Sequence, residues 1–182
     1  MKEHFKILKG LPPYGDMYFS VPPNGYREYS EGFVVEFLKR DGKRWIGNFE
    51  TGNSNLEFVC RLGDDNILVI ARGICYMIDP ENHHSFEIPG FDYKNVVEHE
   101  NLFILVGEYS ITVVRSRQEV QHFPNLCLDG ISDVRIIGDA LHGTLHDFDS
   151  NGNFTETHFT LDLDTFKFKT LNNRKSWWEI LK

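Results

Sequence analysis

The chain has 182 residues, a formal net charge of −8 and 41% hydrophobic residues, enough for one domain with a real core. Isoleucine, valine, threonine and the aromatics together supply 58 strand-favouring residues against 2 alanines and 2 glutamines, which argues against a helical bundle. Charged residues at 25% argue against global disorder, and no apolar run approaches a membrane span.

The start, Met1-Lys2-Glu3-His4, lacks a signal-peptide core. Cys60, Cys75 and Cys127 are too few and too irregular for a disulfide framework, so reduced thiols in a cytoplasmic protein are expected. Charge is uneven. Residues 51–170 carry 8 basic and 19 acidic side chains, while residues 1–50 carry 8 and 7. An acidic body repels a phosphate backbone, so no nucleic-acid partner is expected; it attracts a basic protein or a cation. The expected organisation is a single all-β domain, monomeric or weakly dimeric. Its core spans about residues 5–170, and residues 171–182 form a short C-terminal helix or tail.

In chain order, Leu11-Pro12-Pro13-Tyr14-Gly15-Asp16 and Val21-Pro22-Pro23-Asn24-Gly25 read as turns around the extended piece Met17-Tyr18-Phe19-Ser20. Prolines cost ladder bonds, so this piece belongs at an edge or as a cover. Phe33–Leu38 and Arg44–Phe49 then predict a hairpin, with Asp41-Gly42 suited to a type I′ turn. From residue 56 a weak repeat emerges. Asn66 to Asn101 and Pro89 to Pro124 are both 35 residues apart, and a looser third copy follows from Val134. Each unit reads as three or four short antiparallel strands, the texture of a propeller blade or a meander. An open or partly rolled antiparallel sheet, or a sandwich, is the most economical assembly. Near the end, Trp177, Ile180 and Leu181 share one face at helical spacing.

Leu11-Pro12-Pro13-Tyr14-Gly15, Ser30-Glu31-Gly32-Phe33-Val34-Val35 with Trp45, Ile70-Ala71-Arg72-Gly73-Ile74-Cys75-Tyr76 and Leu128-Asp129-Gly130-Ile131 form a further pattern. In these stretches the chain resembles a group of small bacterial all-β proteins without an assigned activity, some reminiscent of toxin-immunity proteins. The shared motifs are strands and turns, so the resemblance implies no catalytic residues.

Two constellations could carry chemistry. Asp147-Phe148-Asp149-Ser150-Asn151-Gly152 follows the start of a calcium loop, with oxygens at Asp147, Asp149 and Asn151 and a glycine at the sharp turn. The twelfth place holds His158 instead of a bidentate Glu, and an Asn-Gly hairpin explains the same residues without metal. Strand alternation and a three-residue loop Ser150-Asn151-Gly152 would set His146 against Glu156 and Thr144 against His158. His146, Glu156 and His158 could then approach a zinc ion from one face, whereas His142 lies ~13 Å from His146 along the strand. The alternative is a solvated polar face. No nucleophile elbow, zincin, Walker or dinucleotide motif is present, and no cofactor is expected.

These features lead to a non-catalytic protein-binding domain with an acidic surface, an immunity-type inhibitor of a basic partner. The alternative is a small-ligand or metal-binding module, or a hydrolase, using hairpin 142–160, with Asp147 also a candidate acid or base.

Overall fold

A computed structural model describes residues 4–14, 18–23, 30–63 and 65–171. Among the described residues, sixteen strands form four separate four-stranded sheets, numbered 1 to 4 in chain order. Sheet 1 holds β1 (Phe5–Leu8), β2 (Phe19–Val21), β3 (Phe33–Leu38) and β4 (Arg44–Phe49) in the order β1-β3-β4-β2. Sheet 2 holds β5 (Glu57–Leu62), β6 (Asn66–Ala71), β7 (Ile74–Asp79) and β8 (His84–Glu87). Sheet 3 holds β9 (Asn95–His99), β10 (Leu102–Val106), β11 (Ile111–Val114) and β12 (Val120–Phe123). Sheet 4 holds β13 (Gly130–Ile137), β14 (Ala140–Phe148), β15 (Phe154–Asp162) and β16 (Phe168–Leu171).

Sheets 2, 3 and 4 are sequential meanders, which is the blade-like texture of the repeat. The 35-residue spacing maps sheet 2 onto sheet 3: β6-β7-β8 recurs as β10-β11-β12. In place of one open or partly rolled sheet there are four distinct ones. The expected short C-terminal helix is also corrected. No helix occurs among the described residues, and Leu171 ends strand β16, paired opposite His158. Residues 172–182, with the tryptophan pair, lie outside the described residues. No helix among the described residues is long and apolar enough to cross a membrane.

The chain divides into two compact units, one of residues 1–107 and 112–122, the other of residues 108–111 and 123–182. In the first unit, strand alternation gives sheet 2 two apolar faces. Ile67, Val69, Ala71, Tyr76 and Ile78 pack with Phe33, Val35, Phe37, Trp45 and Phe49 of sheet 1. Leu68, Ile70, Cys75 and Met77 pack with Phe103, Leu105 and Val114 of sheet 3. A strand covered on both sides must be apolar at every position, hence the unbroken run Ile67-Leu68-Val69-Ile70-Ala71. Trp45 stacks on Phe37 at 4.4 Å, and its indole N–H donates to Pro80 O at 2.8 Å, tying sheet 1 to the β7–β8 turn.

Turn chemistry departs from expectation once. The Asp41-Gly42 turn is not type I′, because only Gly42 has positive φ (85°). Gly42 N–H donates to Lys39 O and Lys39 N–H to Lys43 O, the pattern of a type I turn followed by a glycine bulge. The β14–β15 loop repeats this device, with Gly152 at φ 79° and Asp149 N–H donating to Asn153 O at 2.8 Å. The proline-flanked β2 lies at an edge of sheet 1, pairing in parallel with β4.

Candidate functional site

Sheet 4, in the second unit, has unlike faces. β14 pairs with β15 so that His146 opposes Glu156, Thr144 opposes His158 and His142 opposes Thr160. This is the register predicted from hydrophobic patterning. Leu141, Leu145, Phe159 and Leu161 are buried on one face, where Phe168 stacks on Phe159 at 5.1 Å. The opposite face gathers His142, Thr144, His146 and Phe148 with Phe154, Glu156, His158 and Thr160.

Every histidine of that face meets a hydroxyl. Ser132 Oγ lies 2.7 Å from His146 Nε2, Thr144 Oγ1 3.1 Å from His158 Nδ1, and Thr160 Oγ1 3.3 Å from His142 Nδ1. Ser132 reaches His146 diagonally, since β13 pairs Gly130 with His146 and Ser132 with Thr144. Phe154 stacks on the His146 ring at 5.4 Å. His146 Nδ1 is buried without a hydrogen bond, 3.7 Å from Glu156 Oε1.

The residues considered for metal binding are therefore placed as follows. His146, Glu156 and His158 share one face, but His146 Nε2 and His158 Nδ1 are engaged by Ser132 and Thr144. Asp147 accepts Leu128 N–H at 2.8 Å. Asp149 Oδ1 accepts the backbone N–H groups of Asn151 (2.8 Å) and Asn153 (2.9 Å), so its carboxylate closes the hairpin loop from inside. Among the described residues, no group of three or more His, Cys, Asp or Glu could hold a metal ion.

One end of sheet 4 exposes apolar side chains: Leu128 is 72% exposed, Phe154 52%, Phe148 49% and Tyr109 41%. Phe148 and Phe154 are cross-strand partners with ring centres 6.2 Å apart. Alternation turns Asp147 to the other side of the strand, where a cleft of about 380 Å³ is lined by Tyr109, Asn125, Leu126, Cys127, Leu128 and Asp147. The segments 125–129 and 146–156 forming this end contain Asp129, Asp147, Asp149 and Glu156 and no lysine or arginine. Cys127 is buried, its thiol donating to Gly130 O at 3.1 Å, and burial pushes its pKa up.

The first unit holds a different polar cluster. Thr112, fully buried in β11, meets Tyr93 OH, His122 Nδ1 (2.7 Å) and Pro89 O (3.2 Å), and Tyr93 OH also donates to Pro89 O. Burial raises the Tyr93 pKa against the opposing Thr112 hydrogen bond, and burial lowers that of His122. Every partner is internal, so the cluster ties the 89–93 turn to sheet 3. Burial likewise raises the Cys60 thiol to about 12 and Cys75 well above its ordinary value; both act as small apolar side chains. His83, at φ 59°, packs against Phe19 and Trp45 with ring centres 4.5 and 4.7 Å away, and burial lowers its pKa.

Sequence reasoning missed Ser132, Tyr109 and Leu128 as parts of the sheet-4 site. Ser132 precedes a register shift in β13, and Asp133 follows it at φ 52°. The Asp at 133 is the sole local signal, since Asp tolerates that region better than most residues. No family model and no curated protein matches the chain.

Proposed function

We propose that this chain is a non-catalytic protein-binding domain, an immunity-type inhibitor that docks a basic partner such as a nuclease. The observation supporting this reading is the end of sheet 4: Phe148 and Phe154 stand exposed on one side of β14, Tyr109 and Leu128 beside Asp147 on the other, and segments 125–129 and 146–156 carry Asp129, Asp147, Asp149 and Glu156 with no lysine or arginine. Interfaces draw affinity from a few large side chains and orientation from the charges around them. An acidic surround speeds encounter with a basic protein and repels acidic competitors.

The test is capture of partners from the source cell at low and high salt, using the full chain and the variants Leu128→Lys and Phe154→Ser. A basic partner that is released as salt rises, and lost with both variants, bears the reading out. An acidic partner, or binding indifferent to salt, overturns it.

One observation favours a second reading, hydrolysis on the late hairpin. Ser132, His146 and Glu156 follow the order nucleophile, base and orienting carboxylate, at 2.7 and 3.7 Å. It ranks below the first because the Ser132 hydroxyl also donates to Asp133 Oδ2 and the 3.7 Å step exceeds a hydrogen bond. A fluorophosphonate probe that labels Ser132, and fails on His146→Ala, would reverse the ranking.

A further inference from the structure

We infer that the cleft beneath Leu128 is an arginine socket: it receives a single arginine side chain from the basic partner. The inference rests on the docking surface proposed above and assigns its central contact.

The cleft is built before anything enters it. Leu126 N–H donates to Tyr109 O at 2.8 Å, and Leu128 N–H donates to Asp147 Oδ1 at 2.8 Å, so both ends of the 126–128 segment are pinned. Between them the Cys127 thiol is turned inward on Gly130 O. A pinned segment loses little freedom on binding, so contacts are not offset by ordering.

Its chemistry suits a guanidinium. The volume of about 380 Å³ is ample for one long side chain. Tyr109 and Leu128, both exposed, are among its lining residues, and an aromatic and an aliphatic side chain suit the planar head and methylene stem of arginine. Asp147 supplies the carboxylate. Its Oδ1 holds Leu128 N–H, and its Oδ2 has no hydrogen-bond partner among the described residues. Cys127 stays a neutral thiol because burial raises its pKa, so Asp147 is the only anionic group among the described residues that line the cleft. A guanidinium can donate to Oδ2 while its face lies against Tyr109, which a compact ammonium cannot do.

The experiment is a titration of the isotope-labelled full chain with the tripeptide acetyl-Gly-Arg-Gly-amide. The controls are its citrulline counterpart, which keeps the shape without the charge, and the variants D147N and Y109L. The side-chain amide oxygen in D147N can still accept Leu128 N–H, and position 109 holds Leu126 through its backbone, so both variants retain the pinned segment. Saturable shifts of the Leu126–Leu128 amides with the arginine peptide are expected. Binding should weaken about tenfold with citrulline or in D147N, the size of a lost charge-assisted hydrogen bond, and less in Y109L. Equal binding of citrulline, or D147N binding as tightly as the unaltered chain, overturns the socket. The two proposals then separate. A basic partner captured through Leu128 and Phe154 with no arginine binding rejects the socket and keeps the surface. Arginine binding with no basic partner does the reverse.

Discussion

Sheets 2 and 4 use the same four-strand meander for opposite ends. In sheet 2, β6 and β7 bury almost every side chain, odd and even positions packing against different neighbours. In sheet 4, β14 and β15 bury one face and line the other with histidines, threonines and exposed phenylalanines. The lesson is that a strand covered on both sides has no positions left for chemistry. A strand covered on one side keeps polar side chains on the other, where Thr144 alone of those in β14 and β15 is buried, so the candidate site falls in this sheet.

The largest test of this contrast is a pair of truncations. Leu68→Ala empties a fully buried site and is expected to cost about 2–5 kcal/mol, because surrounding side chains collapse only partly into the cavity. His142→Ala, on the polar face of sheet 4, should change stability by about 0.5 kcal/mol or less. Urea midpoints at constant slope measure both. Equal losses would break the distinction between the sheets.

Part of this was legible in the residues. Leu141, Leu145, Phe159 and Leu161 alternate with polar partners, and only one register keeps them together, so the β14–β15 pairing followed from pattern and loop length. The number of sheets did not follow. Alternation says which face of a strand is apolar but not which other sheet covers it, and the all-apolar run of β6 fits a sandwich core as well as a stacked blade. The Asp41-Gly42 dipeptide suits both a two-residue type I′ loop, with positive φ at both residues, and a three-residue loop in which Gly42 alone takes it, and the residue types do not separate the two. The Tyr93–Thr112–His122 cluster was invisible because its members come from a turn and two strands. A lone threonine inside the apolar strand Ile111-Thr112-Val113-Val114 was the one available hint, since a buried hydroxyl needs a partner.

That cluster gives the next test. Tyr93→Phe keeps the ring and removes the hydroxyl shared with Thr112 and Pro89 O. A loss of about 1–3 kcal/mol is expected, with no change in any binding at sheet 4. A loss of binding instead would make the two regions functionally linked.

Smaller again is the loop of the sheet-4 hairpin. Asp149→Ala removes the acceptor for Asn151 and Asn153 N–H and should cost about 1 kcal/mol, whereas Asp149→Asn restores most of it. Because these oxygens already serve the loop, calcium or a chelator should leave the melting temperature of the unaltered chain unchanged. A calcium-dependent rise would mean that the loop exchanges these hydrogen bonds for an ion.

The smallest expected effect concerns pH and the interior of the first unit. Burial lowers the pKa of His122 below its ordinary 6.5. The folded chain therefore resists a proton that the unfolded chain accepts. Stability from this group is complete above the unfolded pKa and declines as pH falls from about 6.5 through the depressed folded value. His83 is shifted in the same direction, chiefly by burial and then by Lys39, so the unaltered chain should lose stability over that window through both. His122→Asn keeps an acceptor beside Thr112 but cannot titrate, so the variant should show a shallower decline between about pH 7 and 5. Melting temperatures of the two chains across that interval decide it. Parallel curves would mean that His122 takes up its proton equally in both states.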